Sequence, residues 1–398
     1  MLVTGNWMRA ISPSRVAAFD VLMAVASGAF ASDALRDRCH GLDHRDAGLA
    51  AQIVFGTLRY KGQLDHLILL SSRRSSEELD SVVQIVLRAS ILQLRYLERV
   101  PAYAVVHDAV EFIKSRKRAA AGLVNAVLRK VNRAPVEWPD EATELSLPQW
   151  LIDRWAAHFG RRQARAIAQA SLNEPKQYIR IGPAADLPIG VAAEPTEVAG
   201  AFLLASAAGP SGMRLQDIGS QTIVPLLDLL PGQTYLDLCS APGNKTLQAL
   251  ETPLKLAIAC DFSERRVRDM PPVCPRVVLD ATKPLPFNTL FDRILIDAPC
   301  SGTGTLARNP EIKWRLAEAD LKRFRDRQTA ILEQALQFLL PGGKLVYSTC
   351  SLEREENEDV IAEVLTRHGD VLKERELWRL PGRDEGDGFY ATLLTKNR

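Results

Sequence analysis

The stretch Thr234-Tyr-Leu-Asp-Leu-Cys-Ser-Ala-Pro-Gly-Asn-Lys-Thr246 decides the fold of the second half of the chain. It begins with residues typical of a buried strand, passes through a loop of small residues, and leads into a segment of helical character. This strand–loop–helix order repeats towards the C-terminus, and repeated βα units form a mostly parallel sheet, so we predict a doubly wound α/β domain. The predicted strands are Thr234–Leu238, Lys255–Cys260, Arg276–Leu279, Arg293–Ile296 and Lys344–Ser348, with a last strand pair around Phe389–Thr395. The predicted helices between them are Lys245–Leu250, Glu264–Met270, Glu318–Leu340 and Glu355–Arg367.

The first third of the chain has a different pattern. From residue 12 to residue 133 apolar residues recur at helical spacing, as in Val82-Val-Gln-Ile-Val-Leu87, and no strand alternation intervenes. Two prolines in Ala134-Pro-Val-Glu-Trp-Pro139 mark a break, and short strand-like pieces with several Gly and Pro extend to residue 219. We therefore predict an all-α domain at 10–135, a small α/β connector at 145–215 and the α/β domain at 216–398.

The composition is that of a globular protein, with 46% hydrophobic and 25% charged residues. The six cysteines form neither a CxxC pair nor a Cys/His set with zinc spacing, so no metal site is expected. Because the sequence contains no signal peptide and no long apolar run, we expect a cytoplasmic protein with reduced thiols and no membrane partner. We also expect a monomer.

Positive charge is concentrated locally, although the net charge of +2 does not mark the whole chain as a polyanion binder. Residues 112–136 contain seven basic residues and no acidic one. A second basic stretch runs from Arg308 to Arg327. Such segments either contact phosphates or are solvated helix faces, and the charges alone do not decide between the two.

Four aspartates lie at or just past the ends of predicted strands, namely Asp237, Asp261, Asp280 and Asp297. Ligands of open parallel sheets bind at the carboxyl ends of the strands. The loop after Asp237 contains Gly243, which would let the backbone approach a ligand, and it leads into a helix start with free N–H groups. The loop matches neither GxxxxGK[ST] nor GxGxxG, which argues against nucleoside triphosphates and nicotinamide dinucleotides.

S-adenosyl-L-methionine is a cofactor without phosphates and fits this pattern. Asp261 is placed to accept both ribose hydroxyls, and Asp280 could accept from the adenine amino group. Lys245 would fix the loop or meet the cofactor carboxylate. A single strand-end aspartate could merely cap a helix, so the argument depends on the recurrence. The predicted cofactor-binding residues are Asp237, Cys239, Ser240, Ala241, Pro242, Gly243, Asn244, Lys245, Asp261, Asp280 and Asp297.

Two thiols follow adjacent predicted strands, in Asp297-Ala-Pro-Cys300 and in Ser348-Thr-Cys350. A pair of thiols suits methylation of cytosine at C5. This carbon is a poor nucleophile towards a methyl sulfonium, and a thiolate that adds to C6 activates it. Asp297 is the carboxyl group available to hydrogen-bond N3 of the base. Either thiol could attack while the other assists release, so these residues leave the order open. The other cysteines are predicted to be inert, with Cys239 lining the cofactor loop.

These motifs resemble the RNA cytosine-C5 methyltransferase family, whose members have a Rossmann-like domain dependent on S-adenosylmethionine. Arg308-Asn-Pro-Glu-Ile-Lys-Trp314 and Glu355-Glu-Asn-Glu358 are also similar, and the resemblance covers about Leu215 to the C-terminus. It implies that Cys350 attacks C6 and that Cys300 helps to release the product. DNA cytosine methyltransferases attack with the Pro-Cys thiol, so that class would reverse the order. Two departures from the family pattern are Asn244, which stands where a second Gly is usual, and Asp217-Ile-Gly-Ser-Gln221, which only approximates Gln-Asp-Glu-Ala-Ser.

The N-terminal region resembles NusB-type RNA-binding helical domains. The similar segments are Asp46-Ala-Gly-Leu-Ala50, Val54-Phe-Gly-Thr-Leu-Arg-Tyr60 and Gly122-Leu-Val-Asn-Ala-Val-Leu-Arg129. Fusion of such a domain to this catalytic domain is similar to the RsmB type of bacterial 16S rRNA methyltransferases, which implies RNA as partner and one cytosine of 16S rRNA as substrate. An RNA substrate favours phosphate contacts for the two basic segments. The alternatives are a tRNA or 23S rRNA cytosine, and a non-catalytic, antitermination-like RNA-binding protein.

Overall fold

The computed structural model describes residues 11–182, 186–205 and 213–397. Residue 10 and residue 398, at the ends of the predicted domains, and residues 183–185 and 206–212 of the predicted connector lie outside the described residues. The chain divides into two compact units. The first contains residues up to Asp153 together with Arg308–Trp314, and the second contains Arg154–Ala307 and the residues from Arg315 onward.

The first unit is helical, as predicted for residues 12–133. Its helices are α1 Pro13–Ala26, α2 Ala31–Arg38, α3 His44–Arg59, α4 Lys61–Ser72, α5 Ser81–Tyr96, α6 Ala102–Lys117, α7 Ala121–Leu128 and α8 Glu141–Glu144. Aspartates begin two of the long helices: Asp43 accepts from the first amides of α3, and Asp80 accepts from the Val82 amide of α5. These side chains satisfy N–H groups that a helix start leaves without partners.

One apolar cluster forms the core of the first unit. Phe19 of α1 and Phe112 of α6 contribute rings with centroids 4.7 Å apart. Three buried polar side chains are hydrogen-bonded to one another within this core. Arg15 donates to Asp108 at 2.6 Å and to the Gln93 side chain at 2.7 Å. Since a buried charge is costly unless paired and hydrogen-bonded, this arrangement fixes the relative positions of α1, α5 and α6.

A segment distant in sequence, Arg308–Trp314, completes the first unit. The Trp314 indole N–H donates to the Leu58 carbonyl at 2.7 Å, and the Lys61 ammonium lies 4.4 Å from the centre of the indole ring. Lys313 is fully buried, and its Nζ lies 3.4 Å from the carbonyl oxygens of Arg59 and Ser146. Burial and the neighbouring Arg59 charge lower the pKa of Lys313 to about 7. The predicted phosphate contact of the basic stretch 308–327 is therefore wrong for Lys313, because its ammonium group does not reach the surface.

Two further helices, α9 Gln149–Phe159 and α10 Arg161–Ala170, precede the sheets; α9 contains the boundary between Asp153 and Arg154. The second unit includes a small antiparallel sheet made of β1 Tyr178–Arg180, β2 Ala193–Pro195 and β3 Ala201–Leu204 in the order β1-β3-β2. Arg180 of β1 forms an ion pair with Glu251 at 2.6 Å, and Arg214 pairs with the same carboxylate at 2.7 Å.

The large sheet of the second unit has seven strands in the order β6-β5-β4-β7-β8-β10-β9. Its first five members pair in parallel, and β10 pairs antiparallel with both β8 and β9. The strands are β4 Thr234–Asp237, β5 Leu256–Asp261, β6 Arg276–Val278, β7 Phe291–Asp297, β8 Leu339–Thr349, β9 Val371–Arg379 and β10 Phe389–Lys396. The helices between the strands in the chain are α11 Ile218–Gln221, α12 Asn244–Ala249, α13 Glu264–Asp269, α14 Ile312–Arg315, α15 Asp320–Gln337 and α16 Glu358–Arg367. Of these, α14 belongs, except for Arg315, to the segment Arg308–Trp314 of the first unit.

This topology confirms the predicted doubly wound α/β class. Buried strand residues such as Leu236, Ile294 and Tyr347 form the core together with the apolar face of α15. The parallel strands β4, β5 and β7 end at Asp237, Asp261 and Asp297, so these aspartates lie along one edge of the sheet.

Candidate active site

A cavity of about 390 Å³ opens at the carboxyl edge of the parallel strands in the second unit. Seven of the predicted site residues line it: Cys239, Ala241, Asp261, Asp280, Asp297, Cys300 and Cys350. The cavity therefore unites both predicted thiols with three of the four strand-end aspartates. The remaining predicted residues, Asp237, Ser240, Pro242, Gly243, Asn244 and Lys245, are not among the lining residues.

Asp261 lies on the side of the cavity that also contains Phe262 and Asp280, called the cofactor side below because cofactor binding is predicted there. One carboxylate oxygen accepts from the Ser263 amide at 3.0 Å, and the other accepts from the Ala241 amide at 3.2 Å. Asp280 lies on the same side, and hydrogen bonds from the Thr282 hydroxyl and amide lower its pKa. Both aspartates are thus held in fixed orientations before any ligand binds.

Asp237 lies below the cofactor loop and is completely buried. Its Oδ2 accepts from the Thr246 hydroxyl at 2.7 Å and from the Tyr235 hydroxyl at 3.2 Å. Its Oδ1 is buried and has no hydrogen-bond partner among the described residues. Burial raises the pKa of Asp237 to about 7. The side chain therefore holds the start of α12 with one oxygen and keeps the second oxygen as an unused acceptor.

The cofactor loop is held by contacts within the protein. The Ser240 amide and hydroxyl both donate to the Cys260 carbonyl at 2.8 Å, and the Asn244 side chain donates to the Leu215 carbonyl at 3.0 Å. Gly243 has φ +102°, and its amide donates to the Ser240 carbonyl at 2.7 Å. This left-handed conformation by itself requires glycine at this position.

Lys245 connects the cofactor side to the thiol side. Its buried ammonium donates to Asp297 Oδ2 at 2.6 Å, and Asp297 Oδ1 accepts from the Ser348 hydroxyl at 3.0 Å. Of the two roles that the sequence leaves open for Lys245, the structure shows the ion pair that fixes the loop.

The two predicted thiols are in direct contact, with Sγ of Cys300 3.4 Å from Sγ of Cys350. Both residues are partly buried. The hydrogen bond to Cys350, together with burial, raises the pKa of Cys300 well above its ordinary value. Cys300 therefore keeps its proton at neutral pH and can donate S–H towards Cys350.

Of the other cysteines, only Cys239 is among the residues that line the cavity. Burial raises the pKa of Cys239, Cys260 and Cys274. Since the thiolate is the reactive form, a raised pKa makes these three sulfurs unreactive. Cys39, in the first unit, also has its pKa raised by burial.

Sequence reasoning missed Phe262, Arg266 and Arg327, which all line the cavity. Phe262 directly follows Asp261, and 64% of its surface is exposed; an exposed aromatic residue next to a strand-end aspartate was a usable signal. Arg327 belongs to α15 and lies 5.8 Å from the centre of the Phe262 ring. The sequence marks Arg327 only as the last residue of the basic stretch 308–327, and its place in the cavity depends on how α15 packs on the sheet.

Most basic residues of segment 112–136 have partners inside the first unit. Lys114, Arg116 and Lys117 pair with Glu111, Asp20 and Asp80. Arg129 donates to the Asn125 side chain, and the Lys130 and Arg133 side chains donate to backbone carbonyls. These contacts are at exposed positions, where ion pairs are weak, so the charges stay accessible to a polyanion.

Across the part of the chain that the structure describes, no helix is both long and apolar enough to cross a bilayer. Within the same residues, no cluster of three or more His, Cys, Asp or Glu side chains has the geometry of a metal site.

Comparisons with known proteins were made at the level of family, sequence and fold. The family described as 16S rRNA methyltransferase RsmB/F matches residues 224–395, and the NusB family matches residues 12–133. A probable ribosomal RNA small subunit methyltransferase B of Bacillus subtilis (strain 168) is 33% identical over 410 residues, which cover 89% of this chain and 92% of that protein.

Among solved structures, the crystal structure of PH0851 has a TM-score of 0.80 at 23% identity and covers 97% of this chain and 99% of its own. A methyltransferase homolog protein from Pyrococcus horikoshii has a TM-score of 0.55 at 26% identity and covers 65% of this chain and 100% of its own. The comparisons confirm the predicted combination of a NusB-like helical region with a Rossmann-like methyltransferase fold.

Proposed function

Because the chain belongs to the RsmB/F family of 16S rRNA methyltransferases, we propose that it transfers a methyl group to C5 of one cytosine in 16S rRNA. The observation that carries the proposal is the contact of two thiols, 3.4 Å apart, in a cavity that also contains Asp297. Methylation of a ring nitrogen or of a ribose hydroxyl has no use for two adjacent thiols. Attack at a ring carbon followed by elimination uses both.

The residues of the cavity fit S-adenosyl-L-methionine, which would supply an electrophilic methyl group when bound. Asp261 and Asp280 present carboxylates for the ribose hydroxyls and the adenine amino group, and Phe262 offers an exposed ring on the same side. Asp237 is not among the lining residues, but its buried Oδ1, which has no partner among the described residues, is an acceptor suited to an amino group. None of these groups is a phosphate-binding cradle, in keeping with a cofactor that has no phosphates.

Cys350 is the proposed nucleophile. The Cys350 thiol loses its proton to solvent and its Sγ bonds to C6 of the cytosine. The C5–C6 double bond opens, and its electron density moves to C5, which then accepts the methyl group. Asp297 is positioned by Lys245 and Ser348 and would hydrogen-bond the N3 edge of the base, which favours the addition. The target base must leave its stack to reach the cavity, as bases do in other enzymes that modify them.

Cys300 is the proposed release partner. After methylation, the C5 proton leaves to solvent, the C5–C6 double bond forms again, and the C6–S bond breaks with its electron pair remaining on Cys350. Because Cys300 keeps its proton, its S–H can be donated to the departing Cys350 sulfur. A division of labour between the thiols follows, in which Cys350 attacks and Cys300 assists departure.

The decisive experiment is methylation of 16S rRNA from a strain that lacks the gene, using S-adenosylmethionine with a labelled methyl group. Cys350→Ala should abolish both the label and any covalent protein–RNA adduct. Cys300→Ala should slow release, so that an adduct accumulates and survives a denaturing gel. Cys274→Ala is the matched control, because that thiol is in the same unit but does not line the cavity. Its activity should equal that of the wild type.

Two results would overturn the proposal. A wild-type product other than 5-methylcytosine, identified by mass spectrometry of the digested RNA, would reject the chemistry. An adduct that accumulates in Cys350→Ala and is absent from Cys300→Ala would reverse the roles of the thiols. Bisulfite sequencing of the same RNA identifies the cytosine, and an unchanged 16S pattern would point to another RNA.

A further inference from the structure

A buried carboxylate that has no part in the proposed chemistry lies next to both thiol loops. Glu356 ends the short 3₁₀ turn Arg354–Glu356 after β8 and is fully buried. Its carboxylate accepts from the Ser301 amide at 2.8 Å, from the Ser301 hydroxyl, and from the Ser351 hydroxyl at 2.6 Å. A fourth hydrogen bond comes from the Gln328 side chain at 2.9 Å. Two of the three donor residues are thus the immediate neighbours of the thiols.

The residues that precede the two thiols, Pro299 and Thr349, are hydrogen-bonded to the side chains of Gln328 and Asn357. Gln328 Nε2 also donates to the Pro299 carbonyl at 3.0 Å. Asn357 accepts from the Thr349 hydroxyl at 2.6 Å and donates to the Ser351 carbonyl at 2.9 Å. The chain is therefore fixed immediately before and after both Cys300 and Cys350.

The hydroxyls of Ser301 and Ser351 lie 3.0 Å apart, so Glu356 links the two loops through a single pair of residues. Burial raises the pKa of Glu356, and hydrogen bonds from Ser301, Ser351 and Gln328 offset only part of that rise. Burying a carboxylate costs free energy unless it is fully hydrogen-bonded. Loss of one of its hydrogen bonds destabilises the fold more than loss of a hydrogen bond between neutral groups does. The loops thus have a strong energetic preference for the one arrangement in which all four donors reach Glu356.

We propose that Glu356 is a positioning residue that sets the distance between the Cys300 and Cys350 sulfurs, so that release follows attack on the same base. The proposal rests on the proposed function, since the distance matters only if the two thiols act in sequence. Without Glu356 the loops would keep the hydrogen bond from the Gly304 amide to the Cys350 carbonyl, but the side-chain link between Ser301 and Ser351, the residues next to the two sulfurs, would be lost.

Glu353 provides a matched control in the same loop. It is also a buried carboxylate, 2% exposed. Its side chain accepts from the Arg154 guanidinium at 2.9 Å and from the Trp155 indole at 2.9 Å. These partners belong to α9 and not to the thiol loops, so Glu353→Gln removes a buried charge without loosening the contact between the sulfurs.

The test measures how long the protein–RNA adduct persists, relative to how fast it forms, in rapid-quench experiments on denaturing gels. Glu356→Gln replaces an acceptor oxygen by an N–H₂ group that faces donors. We expect the adduct to persist about tenfold longer than in the wild type, since loss of one charge-assisted hydrogen bond corresponds to a factor of this order. Glu353→Gln should leave the ratio of formation to release unchanged.

A double substitution separates positioning from a general loss of stability. If Glu356 acts through Cys300, adding Cys300→Ala to Glu356→Gln should prolong the adduct no further than Cys300→Ala alone. The proposal would be overturned if the two substitutions multiplied each other's effect on the adduct lifetime. It would also be overturned if Glu356→Gln left the ratio of adduct formation to release unchanged, or if Glu353→Gln changed that ratio equally.

If Glu356→Gln does not fold, Ser351→Ala removes one of the four hydrogen bonds to Glu356, together with the acceptor of the Glu353 amide, and should prolong the adduct by a smaller factor. An unaltered adduct lifetime in that variant would also reject the proposal. A wild-type enzyme that forms no 5-methylcytosine would be a failure of the proposed function, which is distinguishable from all of these results.

Discussion

The cavity has a cofactor side and a thiol side, and a completely buried carboxylate supports each of them: Asp237 on the cofactor side and Glu356 on the thiol side. On the cofactor side, Asp237 uses Oδ2 to hold the loop, while Oδ1 has no partner among the described residues. On the thiol side, both oxygens of Glu356 accept hydrogen bonds from the protein. The difference suggests that the thiol side is assembled in advance, whereas the cofactor side keeps hydrogen-bonding capacity for a ligand.

The largest expected effect tests the unused oxygen of Asp237. Burial raises its pKa from the ordinary 3.8 to about 7, so folding favours the protonated form. The corresponding stability is fully present below about pH 4 and is lost as the pH rises towards 7. Asn at position 237 does not titrate. The free energy of unfolding of Asp237→Asn, relative to that of the wild type, should therefore rise by up to about 4 kcal/mol across this pH interval. Denaturant unfolding of both proteins between pH 4.5 and 7.5 measures this difference.

Binding should change in the opposite sense. The ionised carboxylate is the better acceptor for an amino group, so wild-type affinity for S-adenosylmethionine should rise as the pH passes about 7. The Asn variant should bind with little dependence on pH. Parallel profiles for the two proteins in equilibrium dialysis would show that Asp237 is a structural residue only, and the contrast with Glu356 would disappear.

A second prediction concerns the preassembled thiol side. The Gly304 amide donates to the Cys350 carbonyl at 2.9 Å. A Cβ on residue 304 would lie 2.8 Å from that carbonyl oxygen and too close to the carbonyl of Gly388. Because both neighbours are backbone atoms, Gly304→Ala should destabilise the protein by about 2 kcal/mol. Thermal unfolding should show the loss, while Gly369→Ala, where nothing lies within 4 Å, should be close to neutral. Equal stabilities would mean that the thiol loops adapt easily.

The smallest effect tests the link between the two sides. Lys245→Met removes the ion pair with Asp297. We expect kcat to fall about tenfold, as for loss of a hydrogen bond to a charged group, because Asp297 is no longer held against the base. The KM for S-adenosylmethionine should stay within about twofold, since the Lys245 ammonium is bonded to Asp297. Lys255→Met, at an exposed position, is the control. A raised KM with an intact kcat would instead assign Lys245 to the cofactor.

The sequence predicts most of the large sheet, because buried parallel strands are continuous apolar runs that end in aspartates. It misses β9, Val371–Arg379, where Lys373 to Glu376 are charged and exposed; an edge strand needs no apolar alternation. It places Asp261 and Asp280 in the cavity because strand ends meet at one edge.

Other residues of the site could not be assigned from the sequence. Which loop residues face the cavity depends on contacts such as Ser240 with Cys260, which join different strands. Arg327 reaches the cavity only because α15 packs against the sheet. The connection of Glu356 to both thiols depends on two loops 50 residues apart, as the spacing of Ser301 and Ser351 shows. No local pattern encodes such a contact.

The contribution of Arg308–Trp314 to the first unit affects the order in which the chain folds during synthesis. The first eight helices emerge from the ribosome well before Trp314, yet the Leu58 carbonyl obtains its indole partner only when that residue arrives. The unit that is synthesised first is therefore completed late, after most of the parallel strands have been made. A fragment that ends at residue 153 would lack seven residues of its own fold.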